Sequence, residues 1–210
     1  MKSSKFITFE GGDGTGKSTQ IALLADHLRG RGIDCVITRE PGGTPNAEMI
    51  RKLLVTGESE RWDPKSEALL HFAARRSHLK DAVWPALERG DWVISDRFAD
   101  STMAYQGLGM RLGREAINAL YKFSVGDFAP DLTFVLDMPV ELALARARKR
   151  SSEEIRYENM NADFHDKVRA SFLEIAEQES SRCVILKAHN TIPTVNRMIL
   201  DVIAKRGDIA

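Results

Sequence analysis

The chain has 210 residues, enough at about 150 residues per domain for one large core with a small insertion. Lys and Arg total 30 and Asp and Glu total 30, so no net field draws the protein to a polyanion or a membrane, and partners of either kind are not expected. The two cysteines, Cys35 and Cys183, fall in apolar runs that read as buried strands, which argues against a disulfide framework or zinc site.

The first apolar run, residues 6–9, is too short for a signal peptide or a membrane span, and a cytoplasmic enzyme is the expectation. Similar runs rich in β-branched and aromatic residues recur at 35–38, 92–95, 132–136 and 183–186, with long intervals between them. They lack polar alternation, as strands covered by helices on both faces do. The intervals leave room for helical crossovers, so a five-stranded parallel sheet flanked by helices is predicted, an α/β fold.

After the first run comes Gly11-Gly12-Asp13-Gly14-Thr15-Gly16-Lys17-Ser18, then Ile21, Leu24, Ala25 and Leu28 at helical spacing up to Gly30 and Gly32. The octapeptide fits the P-loop pattern and lies, as that motif requires, between a strand and a helix. Its glycines let the backbone wrap close to phosphate oxygens, and the helix that follows presents the positive end of its dipole. Lys17 is expected to reach the β and γ oxygens of a nucleoside triphosphate, and Ser18 to offer its hydroxyl to a magnesium ion bridging them. Thr19 is expected to pack behind the loop. The motif points to phosphate binding but leaves the reaction open, since switches, motors and kinases share it.

A second helical stretch runs over 65–89, with Ala68, Leu69, Phe72, Ala73 and Leu79 apolar and Pro85 expected to kink or break it. Residues 140–150 are rich in alanine and leucine and run into Arg146, Arg148, Lys149, Arg150 and Arg156, a basic stretch with almost no apolar anchor. This stretch is expected to be mobile. Taken alone it is also compatible with a solvated basic helix or a weak nucleic-acid patch. Helical periodicity resumes over 164–175, and a last helix is predicted over 194–204.

Three strand ends lead into polar segments: residues 38–44, then Asp96-Arg97-Phe98, then Asp137. Ligands bind at that edge of an open parallel sheet, and arginine at two such places, Arg39 and Arg97, suggests an anionic second substrate. Alternatives are open for single residues: Arg75 and Arg76 could form a solvated helix face, and Asp96 could cap the next helix.

Taken in order, Arg39-Glu40-Pro41-Gly42-Gly43-Thr44, Phe72-Ala73-Ala74-Arg75, Asp96-Arg97-Phe98 with Ser101 and Tyr105-Gln106-Gly107, and Pro130-Asp131-Leu132-Thr133 closely resemble thymidylate kinase. The resemblance runs from Phe6 to beyond Glu158. It implies a P-loop nucleoside monophosphate kinase-like fold in one domain, residues 1–210, with a short mobile lid near 146–158. It further implies phosphorylation of dTMP to dTDP with ATP and magnesium, for dTTP synthesis, by a homodimer. Close alternatives are another nucleoside monophosphate kinase or a deoxynucleoside kinase.

By the same resemblance Arg97 holds the dTMP phosphate with help from Arg39, Arg75 hydrogen-bonds a thymine carbonyl, and Tyr105 crowds the sugar 2′ position. Asp13 lies near the 3′-hydroxyl and the metal, Asp96 organises magnesium or its waters, and Ser101, Thr102 and Gln106 line the base pocket. Two positions depart from the pattern. The aromatic that stacks on thymine is replaced by His71, with Phe72 beside it, and either could take that role; Phe98 stands where the family more often has Tyr or His. Thymidylate kinases carry a catalytic arginine either in the P-loop or in the lid. None lies between Gly11 and Lys17, which assigns that role to Arg148 or Arg150, with Arg156 a third candidate.

Overall fold

The computed structural model describes residues 4–58, 60–149 and 156–207. The five apolar runs form β1 (Phe6–Glu10), β2 (Cys35–Arg39), β3 (Trp92–Asp96), β4 (Leu132–Asp137) and β5 (Cys183–Lys187), each one residue longer than its apolar pattern. All pair in parallel, in the order β2-β3-β1-β4-β5. The first three strands fill one half of the sheet and the last two the other, so the chain changes direction at β1, where ligand crevices open in folds of this kind.

β1 is buried along its whole length and divides its side chains between two cores. Ile7 and Phe9 face α1 (Lys17–Gly30) and α9 (Ile192–Lys205), packing with Leu24, Phe134 and Ile199. Phe6 faces α3 (Pro64–His78) and α6 (Arg114–Ser124), among Phe72, Val93, Phe98 and Ile117. Burial of each such side chain stabilises the fold by roughly 1.5–3 kcal/mol, which fixes the register that carries Glu10 and Gly11 to the sheet's carboxyl edge. The edge strands depart from the expectation of complete cover. Cys35 on β2 is only half-buried and Ile37 is 45% exposed, because a strand with one neighbour receives fewer overlying helices.

Pro85 does not end the helical stretch. Helix α3 runs through a wider π-helical turn, Leu79–Val83, into α4 (Trp84–Glu88) with the backbone right-handed helical at both junctions, and the wider turn just ahead of the proline accommodates its missing N–H. Sequence periodicity missed α2 (Pro45–Val55), although its signals are present: the Thr44 hydroxyl accepts from Ala47 N, and a proline opens the helix. A short α5 (Ala99–Thr102) and a second π-helical turn, Met103–Gly109, follow β3. The lid region begins with α7 (Val140–Ala147), and the chain returns at Arg156 to enter α8 (Ala162–Gln178), capped by the Asn161 side chain.

Candidate active site

The P-loop takes the form its glycines allow. Gly11, Gly14 and Gly16 have φ of 124°, 80° and 95°, a region that L side chains rarely enter, and Gly16 caps α1. Gly14 also lies against α7: a Cβ there would sit 1.9 Å from Ala143 O and 3.0 Å from Ala147 N. Thr15 is buried and donates to Gly12 O at 2.9 Å, closing the turn. Lys17 is buried at the first position of α1, its Nζ donating to Gly11 O (3.1 Å) and Gly12 O (2.9 Å). Burial, with Arg97 nearby, pulls its pKa down to about 8. Thr19 is exposed and lines the cleft, contrary to the expectation that it packs behind the loop, because the buried face of α1 is taken by Gln20, Ile21, Leu24, Ala25 and Leu28.

A cleft of about 480 Å³ extends from this loop across the carboxyl ends of β1, β2 and β3. At its P-loop end Ser18 Oγ donates to Asp96 Oδ2 at 3.1 Å. Arg97 spans the middle. Its Nη2 pairs with Asp13 Oδ1 at 2.8 Å, and Nη1 donates to Gly11 O (2.9 Å) and Ser101 Oγ (3.0 Å). Burial works against the Arg97 charge, but Tyr105, Asp13, Asp96 and Glu10 outweigh it and hold the guanidinium well above its ordinary range. Arg39 is half-exposed on the cleft wall, paired with Glu48 at 3.1 Å.

Glu10, the last residue of β1, organises this corner. It accepts from Phe98 N (2.8 Å), Ser101 N (3.3 Å) and Ser101 Oγ (2.5 Å), tying the loop after β3 to the strand that feeds the P-loop. Burial, with Asp100 close by, pushes its carboxyl up to about 7. Arg97 itself sits at φ 72°, a strained backbone for a residue with a Cβ, and these bonds hold it there.

At the far end Arg75 is 2% exposed, with its guanidinium over the Phe72 and Phe98 rings (4.7 and 5.2 Å). Nε donates to Glu40 Oε2 at 2.7 Å, and Nη2 donates to Phe98 O and Thr102 Oγ1. That leaves Nη1 without a partner among the described residues. Glu40 is held in turn by His78 Nδ1 at 2.9 Å; burial opposes its charge, and Arg75 with His78 keeps its pKa low. His71, Ser101, Thr102, Tyr105 and Gln106 share this wall. Of the two candidates for the stacking position, His71 lines the cleft, whereas Phe72 is in the core beneath Arg75. Burial and Arg75 pull the His71 pKa down to about 3, so the ring is neutral.

The basic segment divides. Arg148 is exposed at the end of α7, directly after the Ala147 nitrogen that approaches Gly14. Arg150 lies outside the described residues. Arg156 is 1% exposed, pairs with Glu67 at 2.5 Å, donates to Leu54 O and Glu58 O, and does not line the cleft. Asp137 likewise turns away, pairing with Arg169 of α8 at 2.7 Å. Sequence reasoning overlooked Glu10, Arg51, Glu67 and Tyr157. Glu10 adjoins the P-loop motif and Tyr157 adjoins Arg156, but Arg51 and Glu67 are single charges on helices with no local mark.

Among the described residues no group of three or more His, Cys, Asp or Glu gathers to hold a metal. The Ser18 hydroxyl and the Asp96 carboxylate are hard oxygen donors of the kind magnesium takes when phosphates complete its shell. A phosphate-wrapping loop at a sheet switch point, facing a partly buried arginine in a cleft whose far end holds a donor unpaired among the described residues, defines a P-loop nucleotide kinase with a nucleoside monophosphate kinase-like fold.

The model of the thymidylate kinase family matches residues 9–199. The thymidylate kinase of Caulobacter vibrioides is 48% identical over 206 residues, 98% of this chain and 99% of its own. That of Dinoroseobacter shibae is 50% identical over 182 residues, 87% of each chain, and that of a Bradyrhizobium species 43% identical over 204 residues, 96% of this chain and 90% of its own. The chain belongs to the thymidylate kinase family.

Proposed function

We propose that this protein transfers the γ-phosphoryl group of ATP to the 5′-phosphate of dTMP, giving dTDP for dTTP synthesis. The observation that carries the reading is one continuous cleft with Lys17 and Ser18 at one end, Arg97 in the middle and Arg75 Nη1, unpaired among the described residues, at the other. A triphosphate on the P-loop and a monophosphate on Arg97 would meet in line between them. No general base is required, because the acceptor phosphate is already anionic.

Lys17 and the α1 N-terminus hold the donor phosphates, and Arg97, with Arg39 on the cleft wall, holds the acceptor phosphate. Asp13 anchors Arg97 and lies where the sugar 3′-hydroxyl falls. Tyr105 walls the sugar, His71 offers a flat neutral ring to the base, and Ser101 and Thr102 fix Arg97 and Arg75. Magnesium would be held by Ser18 and Asp96 and would neutralise charge shared by the donor phosphates. Charge that spreads over the moving group calls for a further cation, and we assign it to the lid, residues 146–158 of a single domain, with Arg148 the candidate among the described residues and Arg150, outside them, the other. The buried pairing of Arg156 gives it the role of fastening the lid's return to α2 and α3.

The test is ADP formation with dTMP, dUMP, CMP and thymidine as acceptors. dTMP is expected to give the highest kcat/KM. If it produced ADP no faster than buffer, the substrate assignment would fall.

A further inference from the structure

An amide side chain can face a ligand in two ways, offering its oxygen as acceptor or its NH₂ as donor. The two orientations have nearly the same shape, so hydrogen-bond partners decide between them. Gln106 is buried on the base end of the cleft, and its Nε2 lies 2.7 Å from Glu67 Oε1. Glu67 is completely buried on α3, and its other oxygen pairs with Arg156 at 2.5 Å. A carboxylate paired with an arginine has only acceptor atoms, so it must receive the amide N–H. The amide oxygen is then left for the cleft, and Gln106 Oε1 has no partner among the described residues.

The neighbours follow the same direction. The Tyr157 hydroxyl donates to Glu67 Oε1 at 2.9 Å, so its oxygen accepts from His71 Nε2 at 3.0 Å. One carboxylate therefore orders the protons of three cleft side chains. Among the described residues, three buried polar atoms of this wall have no partner: Gln106 Oε1, an acceptor, Arg75 Nη1, a donor, and the Tyr105 hydroxyl, which can act either way; the first two are the pair with a fixed sense. The imide edge of thymine or uracil offers the complement, an N–H at position 3 and a carbonyl. Cytosine inverts both, with a lone pair at that nitrogen and an amino group beside it.

We propose that Glu67, which does not itself line the cleft, is a specificity-determining positioning residue: it fixes the Gln106 amide so that the pocket accepts a pyrimidine carrying an N–H at position 3 and rejects cytosine. The proposal rests on the substrate reading above and adds how the base is discriminated.

The experiment measures kcat/KM for dTMP, dUMP and dCMP in the wild type and in Glu67→Gln, Gln106→Met and Arg156→Lys. A glutamine at 67 can offer either oxygen or NH₂, which frees Gln106 to turn. The dTMP-to-dCMP ratio is expected to fall at least about tenfold, while the dTMP-to-dUMP ratio holds, since both bases carry the imide edge. Arg156→Lys disturbs the same ion pair but keeps the acceptor charged and should leave both ratios within about threefold of wild type. Gln106→Met should reproduce the loss and covers the case in which Glu67→Gln does not fold. An unchanged dTMP-to-dCMP ratio in folded Glu67→Gln, or in Gln106→Met, overturns the proposal. A wild type that shows no preference for dTMP over dCMP would instead strike the substrate reading.

Discussion

Among single residues, His71 combines an altered identity with a measurable titration. Its ordinary pKa is near 6.5 and burial beside Arg75 lowers it to about 3, so between those values the unfolded chain binds more protons than the folded one. The stability associated with neutral His71 is therefore fully present above about pH 6.5 and is lost as pH falls toward 3. Phenylalanine has no proton to gain. The stability of the wild type relative to His71→Phe should drop by about 2 kcal/mol between pH 7 and pH 5, read from denaturant unfolding at each pH. A difference that does not change with pH would contradict the buried, neutral state of the ring. The position shows why a resemblance between sequences stops short of chemistry: imidazole can stack as the usual aromatic does, but it also donates to Tyr157, a bond that phenylalanine cannot make.

Among elements, the contact that matters most for the phosphate loop is with α7. Gly14 meets α7 backbone at a distance no side chain can share, whereas a Cβ on Gly16 or Gly12 would meet nothing within 4 Å. Gly14 and Gly16 both have positive φ, and an alanine in that region costs roughly 1–2 kcal/mol before any clash. Alanine substitutions should therefore lower Tm in the order Gly14, then Gly16, then Gly12. Gly14→Ala should also raise the KM for ATP, because α7 must shift from the loop that cradles the phosphates. Equal Tm losses for Gly14→Ala and Gly16→Ala would show that α7 yields at no cost. Through this contact the P-loop and α7 are one packed unit, and Arg148 follows directly at the end of that helix.

For the molecule as a whole, α2 and α3 pack on each other and leave Met49 (69% exposed), Leu53 (39%) and Leu69 (56%) facing outward. Apolar groups gathered on two adjacent helices suit a second copy of the chain, and we propose that this face supports the homodimer that family resemblance implies. Leu69→Glu should shift the sedimentation coefficient from dimer to monomer, while a dimer that persists would move the interface elsewhere. The strands, their parallel arrangement and the phosphate loop could be read along the chain, because each depends on residues near in sequence: β-branched runs, glycine spacing, a lysine and serine at the start of a helix. The same holds for Arg97 and Arg75, which stand in motifs. What lay beyond a linear reading were contacts across long separations. Glu10 reaches Ser101, Glu67 reaches Gln106 and Tyr157, and Arg156, basic and in a basic run, is buried where a glutamate and two carbonyls await it. A charge pattern shows that an arginine is present; whether it faces a phosphate or a carboxylate depends on which surface the folded chain brings to it.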